Sequence, residues 1–217
     1  MEEYLVPSGE GMDEHTEKRS RFIGHIWRTD SEEEAVAAIR ATREAMWDAR
    51  HHVYAYIIRG GAMRYSDDGE PQGTGGMPVL DVLRRQELNN VCCVVTRYFG
   101  GILLGTGGLV RAYSKAANLA VDAAGISIMR LWQRFEIPCP YPLFERVKLE
   151  IEAHEGQIAD IQYGAQVDMT VRIPQAKAEA FSIRLTDLSS GRLVPADAGT
   201  EYLPGRFRHS DRRCHRQ

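Results

Sequence analysis

Alternation and helical spacing of apolar residues divide the first half of the chain into short strands and amphipathic helices. Ser20 to Thr29 alternates apolar and polar residues, which indicates a strand. Ser31 precedes Glu34 by three positions, a capping-box spacing that predicts a helix continuing to Met46. The β-branched and aromatic run His51 to Ile58 indicates a second strand. The pattern therefore predicts mixed α and β structure from Ser20 onward.

Two copies of the tetrapeptide GTGG stand before further amphipathic runs. The first, Gly73 to Gly76, leads into a predicted helix from Pro78 to Glu87, and proline suits the first turn because its missing N–H has no helical partner there. The second, Gly105 to Gly108, follows the apolar strand Val91 to Phe99 and leads into a helix that ends at Gly125. Glycines at such places allow tight packing of a helix start, or leave its N–H groups open to an anion.

From Leu131 the pattern restarts. A strand, a helix, two strands that turn at Gly164, a helix and a short strand from Arg192 to Asp197 follow in the order βαββαβ, which is the ferredoxin-like arrangement. The predicted fold class is therefore α+β with two domains. The predicted organisation is a flexible N-terminus (1–17), an N-terminal α/β domain (18–130), a ferredoxin-like C-terminal domain (131–203) and a disordered basic tail (204–217).

Composition limits the classes of function. The 217 residues are 43% apolar and 26% charged, as in globular proteins, and the net charge of -3 means that any nucleic-acid contact must come from a local basic patch. The chain shows no apolar leader and no run of 18 apolar residues, so we expect a cytoplasmic protein without membrane contact. The cysteines lack Cys-x-x-Cys spacing, and the neighbours Cys92 and Cys93 point to opposite faces of a strand. We therefore expect reduced thiols and no metal or other cofactor.

The second glycine loop carries residues suited to anion binding. A helix N-terminus presents N–H groups and partial positive charge, and Arg111 and Lys115 lie one turn apart on the polar face of this helix. Thr106 is placed to cap the helix. Tyr98 and Phe99 are candidates for stacking on RNA bases, although strand alternation places one of them in the core. The candidate binding residues here are Arg97, Tyr98, Phe99, Gly100, Gly101, Gly105, Thr106, Gly107, Gly108, Arg111 and Lys115.

Acidic residues precede the first glycine loop. Several carboxylates beside such a loop suit Mg²⁺, whereas a polar Asp-Gly turn explains the same composition without a ligand. If the loops of Asp68 and Arg97 meet in space, acid pairs with base and the anion site is partly filled from within the chain. One of the adjacent His51 and His52 is a candidate general base near these acids. The candidate binding residues on this side are Ser66, Asp67, Asp68, Glu70, Gly73, Thr74 and Gly75.

The runs SDDGEPQGTGGMPVL and RYFGGILLGTGGLVRAYSKAA, with KRSRFIGH and DARHH, resemble the IMPACT family in its bacterial YigZ-like branch, from about Lys18 to Val194. The resemblance implies an N-terminal domain similar to the second domain of a small-subunit ribosomal protein and to domain IV of elongation factor G. It also implies a ferredoxin-like C-terminal domain similar to the last domain of that factor. Eukaryotic members are translation regulators that carry an additional N-terminal interaction domain, and the resemblance implies that this chain begins at the family core without it.

Three functions are compatible with these patterns. The leading hypothesis is a non-enzymatic, cytoplasmic protein that binds RNA, for example on the ribosome, or a translation-related protein, and thereby regulates translation without an obligate small-molecule cofactor. The second is a Mg-dependent enzyme that acts on a phosphorylated small molecule through Asp67, Asp68 or Glu70. The third is a protein-interaction module that uses the exposed face of the C-terminal helices.

Overall fold

The computed structural model describes residues 3–206, and in that part of the chain it shows an α+β protein with two β-sheets and five α-helices. These residues form two compact units, Tyr4–Ile128 and Met129–Gly205. None of the helices described is both long and apolar enough to span a membrane. Of the basic tail predicted for residues 204–217, residues 207–217 lie outside the described part, and the preceding residues belong to a strand.

The N-terminal unit contains one antiparallel sheet. Its strands lie in the order β2 (Gly11–Glu17), β3 (Ser20–Arg28), β6 (Val91–Tyr98), β4 (His51–Ile57) and β5 (Met63–Ser66). The remaining elements are β1 (Tyr4–Pro7) and three helices, α1 (Glu32–Ala45), α2 (Gly76–Arg85) and α3 (Thr106–Ala124). Ser31 caps α1 as its sequence predicts, because its Oγ accepts a hydrogen bond from Glu34 N–H at 3.2 Å.

The central strand β6 is covered on both faces. Val95 and Cys93 belong to the larger core beneath α2 and α3, whereas Val94 and Cys92 pack in a second cluster with residues of α1. The predicted opposite orientation of the two cysteines is therefore confirmed. Burial raises the pKa of the Cys92 thiol to about 12 and also raises the pKa of Cys93, so both thiols stay protonated at neutral pH.

Helix α3 approaches the sheet closely through glycine positions. A Cβ placed on Gly24 of β3 would lie 2.3 Å from the backbone oxygen of Ala116, and one placed on Gly11 of β2 would lie 2.3 Å from Ala124 N. The alanine-rich buried face of α3 matches this short separation, because small side chains on both elements allow backbone contact. This packing holds the middle and the C-terminal end of α3 directly against β3 and β2.

The C-terminal unit has the predicted element order. Its elements are β7 (Ile126–Cys139), α4 (Phe144–Ala153), β8 (Gln157–Tyr163), β9 (Val167–Pro174), α5 (Ala178–Leu188) and β10 (Ala196–Arg206). In the sheet, β7 lies between β10 and β9, and β8 pairs with the other side of β9. The helices cover one face, where Phe135 of β7 and Phe181 of α5 meet with ring centroids 5.8 Å apart.

Two predicted segments differ from the structure. Residues 4–17, expected to be flexible, form β1 and β2, and β2 pairs with β3 along its whole length. The pattern of β2 is weak because this strand lies at the sheet edge, where most of its side chains are exposed. The last strand begins at Ala196 and not at Arg192, because Leu193 is buried in the core and its N–H donates to Ser189 Oγ at 2.8 Å.

Candidate functional site

The first glycine loop is filled by a carboxylate of the chain itself. Asp67 Oδ1 accepts hydrogen bonds from the N–H groups of Gly75 at 3.0 Å and Gly76 at 2.8 Å, and Oδ2 accepts one from Gly73 N–H at 2.8 Å. Because Gly76 begins α2, the carboxylate lies where this helix presents its partial positive charge. This GTGG sequence therefore does bind an anion, and the anion is the Asp67 side chain.

The neighbouring polar residues hold the same loop in place. Asp68 adopts a left-handed backbone conformation with φ 44°, and its N–H donates to Ser66 Oγ at 3.1 Å. The Asp68 carboxylate accepts hydrogen bonds from Arg43 Nη2 at 2.7 Å and from the backbone N–H of His52 at 2.6 Å. The Thr74 hydroxyl donates to a backbone carbonyl of the loop at 2.6 Å. These contacts tie the loop to α1 and to the start of β4.

Glu70 and Arg97 form a buried ion pair beneath the loop. Their side chains are 4% and 6% exposed, and Glu70 Oε1 lies 2.5 Å from Arg97 Nη1. The Tyr113 hydroxyl of α3 donates to the same oxygen at 2.8 Å, while burial and the Glu70 charge raise the pKa of Tyr113 and keep it protonated. The two glycine loops therefore meet in space and pair acid with base, with Glu70 and not Asp68 as the acid.

Arg97 lies in the core and not on the surface where we expected a phosphate-binding cation. Its guanidinium carbon lies 5.3 Å from the ring centroid of Phe22 and 5.4 Å from that of Phe99, and its Nη2 lies 3.4 Å from Ser20 Oγ. Both terminal nitrogens of Arg97 are engaged within the chain, by Glu70 and Ser20, so the guanidinium is not the open phosphate contact that the sequence predicts. Arg97 pairs with Glu70, which is distant along the chain, and the spacing of residues in the sequence does not reveal such a contact.

The aromatic pair at the end of β6 also differs from the expectation that one ring lies in the core. Phe99 is 42% exposed, because β6 ends at Tyr98 and strand alternation does not continue to the next residue. Tyr98 is half-buried, and its hydroxyl donates to Asp48 Oδ1 at 2.9 Å. Phe99 is therefore the aromatic face at this site that is open to a ligand.

The two adjacent histidines face opposite sides of β4, as alternation predicts. His51 Nδ1 lies 2.8 Å from the carbonyl oxygen of Asp68, and because a carbonyl only accepts, Nδ1 carries the proton. His51 Nε2 is thereby directed toward Glu70, at 3.9 Å from Oε1. His52 is buried on the other face, and its Nδ1 lies 3.1 Å from Thr96 Oγ1. Only His51 belongs to the site.

The imidazoles of His15 and His52 make the free energy of unfolding depend on pH. Burial is the main cause that lowers the pKa of His15 and of His52 below 6.5, and the Lys115 charge adds to it for His15. Below pH 6.5 the unfolded chain takes up protons that the folded chain does not bind. The free energy of unfolding therefore has its full value above that pH and decreases on acidification. We expect urea unfolding to give a lower free energy at about pH 5.5 than at about pH 7.5. The variant His52→Gln should show a smaller decrease, and an unchanged decrease would contradict this assignment.

The second glycine loop differs from the first because no side chain fills it. Helix α3 begins at Thr106, after Gly105 with φ 72°, and no side chain caps this N-terminus. The predicted cap by Thr106 is wrong because a capping side chain belongs to the residue before the first helical position, and that residue is Gly105. Within residues 3–206, the N–H groups of Thr106, Gly107 and Gly108 have no acceptor.

The loop between β6 and α3 is anchored at one end and exposed at its tip. Gly100 N–H donates to Ser20 Oγ at 3.1 Å, and a Cβ on Gly100 would lie 2.0 Å from the carbonyl carbon of Arg19. This contact holds the turn between β2 and β3, where Lys18 and Arg19 both have positive φ, 45° and 66°. At the tip, Leu103 is 81% exposed. The anchor therefore places two cations beside the second glycine loop.

A cleft of about 400 Å³ lies between the two glycine loops. Its apolar wall contains Phe99, Leu103, Leu104 and Leu109, and its polar wall contains the His51, Glu70 and Arg97 group with Arg50 and Thr106. Of the predicted binding residues, Glu70 from the first loop and Arg97, Phe99, Gly105 and Thr106 from the second line this cleft. Within residues 3–206, no three His, Cys, Asp or Glu side chains form a group that could hold a metal ion. Asp67, Asp68 and Glu70, the acids suggested as Mg²⁺ ligands, accept hydrogen bonds from other residues of the chain.

A second, smaller pocket of about 250 Å³ lies on the other side of the loop. Lys18, Arg111 and Lys115 line it together with Gly108, and Glu17 also lines it. None of these three cations forms an ion pair with any residue that the structure describes. We call Lys18, Arg111 and Lys115 the basic cluster. The predicted pair Arg111 and Lys115 is therefore joined by Lys18, which the sequence analysis did not select.

Sequence reasoning missed several residues of this site. Lys18 lies in the run KRSRFIGH, but its position became apparent only from the β2–β3 pairing and the contact of Gly100 with the turn. Tyr113 lies on the buried face of α3, and its hydroxyl contacts Glu70. A tyrosine on an otherwise alanine-rich buried face was the available signal, since a buried hydroxyl requires a partner.

Two family profiles match separate parts of the chain. Residues 18–121 match the family profile described as the Impact N-terminal domain. Residues 137–192 match a profile described as a domain of unknown function, DUF1949. The first match contains both glycine loops, the buried ion pair and the basic cluster.

Two relatives match this chain over nearly their whole length. The chain is 32% identical over 208 residues to the IMPACT family member YvyE of Bacillus subtilis, covering 95% of this chain and 96% of that protein. It is 36% identical over 199 residues to the IMPACT family member YigZ of Escherichia coli, covering 89% of this chain and 97% of that protein.

A solved structure titled "Crystal structure of an hypothetical protein" is similar as well. It superposes with a TM-score of 0.59 at 34% sequence identity, covering 92% of this chain and 98% of the other. The resemblance carried by the glycine-rich runs is confirmed by these relatives at more than 30% identity over most of their length. The chain belongs to the IMPACT family.

Proposed function

We propose that this protein binds RNA through the basic cluster and takes part in the regulation of translation without catalysing a reaction. The observation that carries the proposal is the group of Lys18, Arg111 and Lys115, unpaired within the described chain, around the uncapped start of α3. Other basic residues of the same unit, such as Arg21, Arg43 and Arg64, are paired with acids.

The geometry suits a phosphate backbone. Cations on a hairpin turn and along one helix face, with open N–H groups beside them, can contact successive phosphates, and each contact releases condensed counterions. Because the net charge of the chain is -3, the attraction to RNA must be local. His15 lines the same pocket, and its lowered pKa leaves it neutral at pH 7, so the positive charge comes from the basic cluster.

The exposed loop beside the basic cluster adds a surface for bases. Phe99 and Leu103 are exposed on the same loop. Aromatic side chains stack on unpaired bases without sequence preference, and Leu103 adds apolar contact area beside Phe99. We therefore place the RNA partner among single-stranded or looped RNA, including exposed ribosomal RNA. Tyr98 contributes less because its hydroxyl is bound to Asp48.

The connection with translation rests on the family and on fold. Eukaryotic IMPACT proteins regulate translation. We also propose that the C-terminal unit has the ferredoxin-like arrangement, since its βαββαβ order and the strand order β10, β7, β9 and β8 agree with it. The N-terminal unit is proposed to correspond to domain IV of elongation factor G and to the second domain of a small-subunit ribosomal protein. Such a likeness of fold supports a cytoplasmic, ribosome-related role by analogy.

Removing the basic cluster should weaken RNA binding in a salt-dependent manner. We expect Lys18→Ala, Arg111→Ala and Lys115→Ala together to lower affinity for a labelled single-stranded RNA by roughly tenfold or more at about 50 mM salt. The slope of log affinity against log salt should become less steep by about 2, because each lost phosphate contact removes about 0.7. Fluorescence anisotropy at several salt concentrations measures both quantities.

A matched control separates the basic cluster from net charge. The triple variant Arg84→Ala, Arg85→Ala and Arg146→Ala also removes three exposed cations, but these lie on the last turn of α2 and on α4. It should keep the affinity and salt slope of the unmodified protein. Equal losses in both triple variants, or no RNA binding by the unmodified protein, would contradict the proposal.

A further inference from the structure

The chain contains its own example of how a GTGG loop binds an anion. In the first copy, three glycine N–H groups bind the Asp67 carboxylate at the start of α2. In the second copy, α3 begins two residues earlier, at Thr106, and the N–H groups of Thr106 to Gly108 have no acceptor within residues 3–206. The same tetrapeptide thus binds a carboxylate of the chain in the first copy, whereas its N–H groups are open to a ligand in the second.

The cleft beside this open helix start has the size and lining of a small-molecule site. Its volume of about 400 Å³ lies in the range of roughly 300–1,000 Å³ that ligand pockets occupy. Leu103, Leu104, Leu109 and Phe99 provide an apolar wall that reaches Thr106. An apolar wall with a few convergent polar groups is the usual composition of such sites.

Arg97 provides an independent sign that an acceptor is missing. The residue is 5% exposed and lines the cleft, and its Nε is buried without a hydrogen-bond partner among the described residues. Buried donors in folded proteins are normally satisfied. Its terminal nitrogens are engaged by Glu70 and Ser20, so Nε is the guanidinium nitrogen that has no partner among the described residues.

We propose that this cleft binds a small amphipathic carboxylic acid. The carboxylate lies on the N–H groups of Thr106, Gly107 and Gly108, and the apolar body packs against Phe99 and Leu103 in the cleft that Thr106 lines. Asp67 binds the first, third and fourth residues of its GTGG, so the two copies share a helix start that accepts a carboxylate and not the same set of N–H donors. The Glu70 charge does not exclude such a ligand because Arg97 neutralises it within the cleft wall. This ligand shares the open N–H groups of the α3 start with the proposed RNA site, but its apolar body lies in the cleft, whose lining residues do not include the basic cluster.

Octanoate is a suitable probe, because it joins a carboxylate to an apolar chain. In a two-dimensional amide NMR titration of the full chain, we expect saturable shifts of the Thr106, Gly107 and Gly108 resonances. Gly75 and Gly76 serve as internal controls, since their N–H groups are occupied by Asp67 and should not shift. Octanol and acetate each lack one half of the proposed recognition and should shift the three amides only at much higher concentration.

A variant at Thr106 tests the carboxylate position without disturbing the fold. Thr106→Asp places a negative charge in the first turn of α3, where it favours the helix but repels a carboxylate, so octanoate should bind at least about tenfold more weakly. Its melting temperature should be unchanged or higher. Thr106→Asn has a similar shape without the charge and should bind as the unmodified protein does. Equal affinity of octanoate for the Thr106→Asp variant, equal binding of octanol and octanoate, or shifts confined to other amides would overturn the proposal.

Discussion

Replacing Glu70 with alanine is expected to lower the free energy of unfolding by about 3–5 kcal/mol, because it leaves a buried guanidinium without its counter-charge. Arg97 is 5% exposed and cannot reach water without moving away from β6. The Tyr113 hydroxyl loses the same acceptor, which adds an unsatisfied buried donor. The loss should exceed that of an exposed pair such as Arg64 and Glu32, which solvent screens.

Urea denaturation of single and double variants measures this effect. Glu70→Gln keeps an acceptor for Tyr113 and should cost less than Glu70→Ala. The double variant Glu70→Leu with Arg97→Met removes both charges, so it should be more stable than the sum of the two single losses predicts. A loss below about 1 kcal/mol for Glu70→Ala would mean that the pair is hydrated, and the close approach of the two glycine loops would then need another cause.

Much of the N-terminal unit was predictable because its central elements have strong apolar periodicity. Strand β6 is buried along nearly its whole length, and α3 has a continuous apolar face from Leu109 to Val121, so both were recognised. Strands β2 and β5 were not, because they lie at the sheet edges and most of their residues are exposed. An edge strand is defined by backbone pairing with its neighbour, and side-chain pattern reports that pairing poorly.

The sequence predicted which segments form the candidate site, but not which side chains contact each other there. The sequence indicated that the acidic loop and the Arg97 loop neutralise each other if they meet in space, and they do so through Glu70 and Arg97. Which acid turns inward depends on the left-handed conformation of Asp68, an uncommon choice for a non-glycine residue that sequence does not signal. This conformation directs Asp68 toward Arg43 and His52, and Glu70 two residues later reaches the buried side.

The two GTGG loops therefore have different physical roles although their sequences are identical. In the first, the charge at a helix start is neutralised by Asp67, and the loop joins α2 to β5 as part of the folded framework. In the second, the helix start faces solvent between an apolar cleft and the basic cluster. Function is expected at the second loop because its N–H groups and cations are not used by the fold.

Removing the internal anion of the first loop provides the second large effect. Asp67→Ala should lower the free energy of unfolding by about 2–4 kcal/mol, because three backbone N–H groups lose a charged acceptor at the start of α2. Asp67→Asn keeps one oxygen and should lose less. Asp81→Ala removes an acid from the same helix, where no hydrogen bond or ion pair with a described residue involves it, and should change stability by no more than about 0.5 kcal/mol.

Added acetate should then restore part of the stability of Asp67→Ala, since a carboxylate from solution can occupy the emptied loop and bind only the folded state. Thermal unfolding at increasing acetate, with chloride at equal ionic strength as the control, measures the recovery. Recovery specific to Asp67→Ala would show that a GTGG loop in this chain accepts a free carboxylate, which is the property proposed for the second copy. If acetate affects Asp67→Ala and Asp81→Ala equally, Asp67 acts only as part of the loop framework, and the comparison between the two copies loses its physical basis.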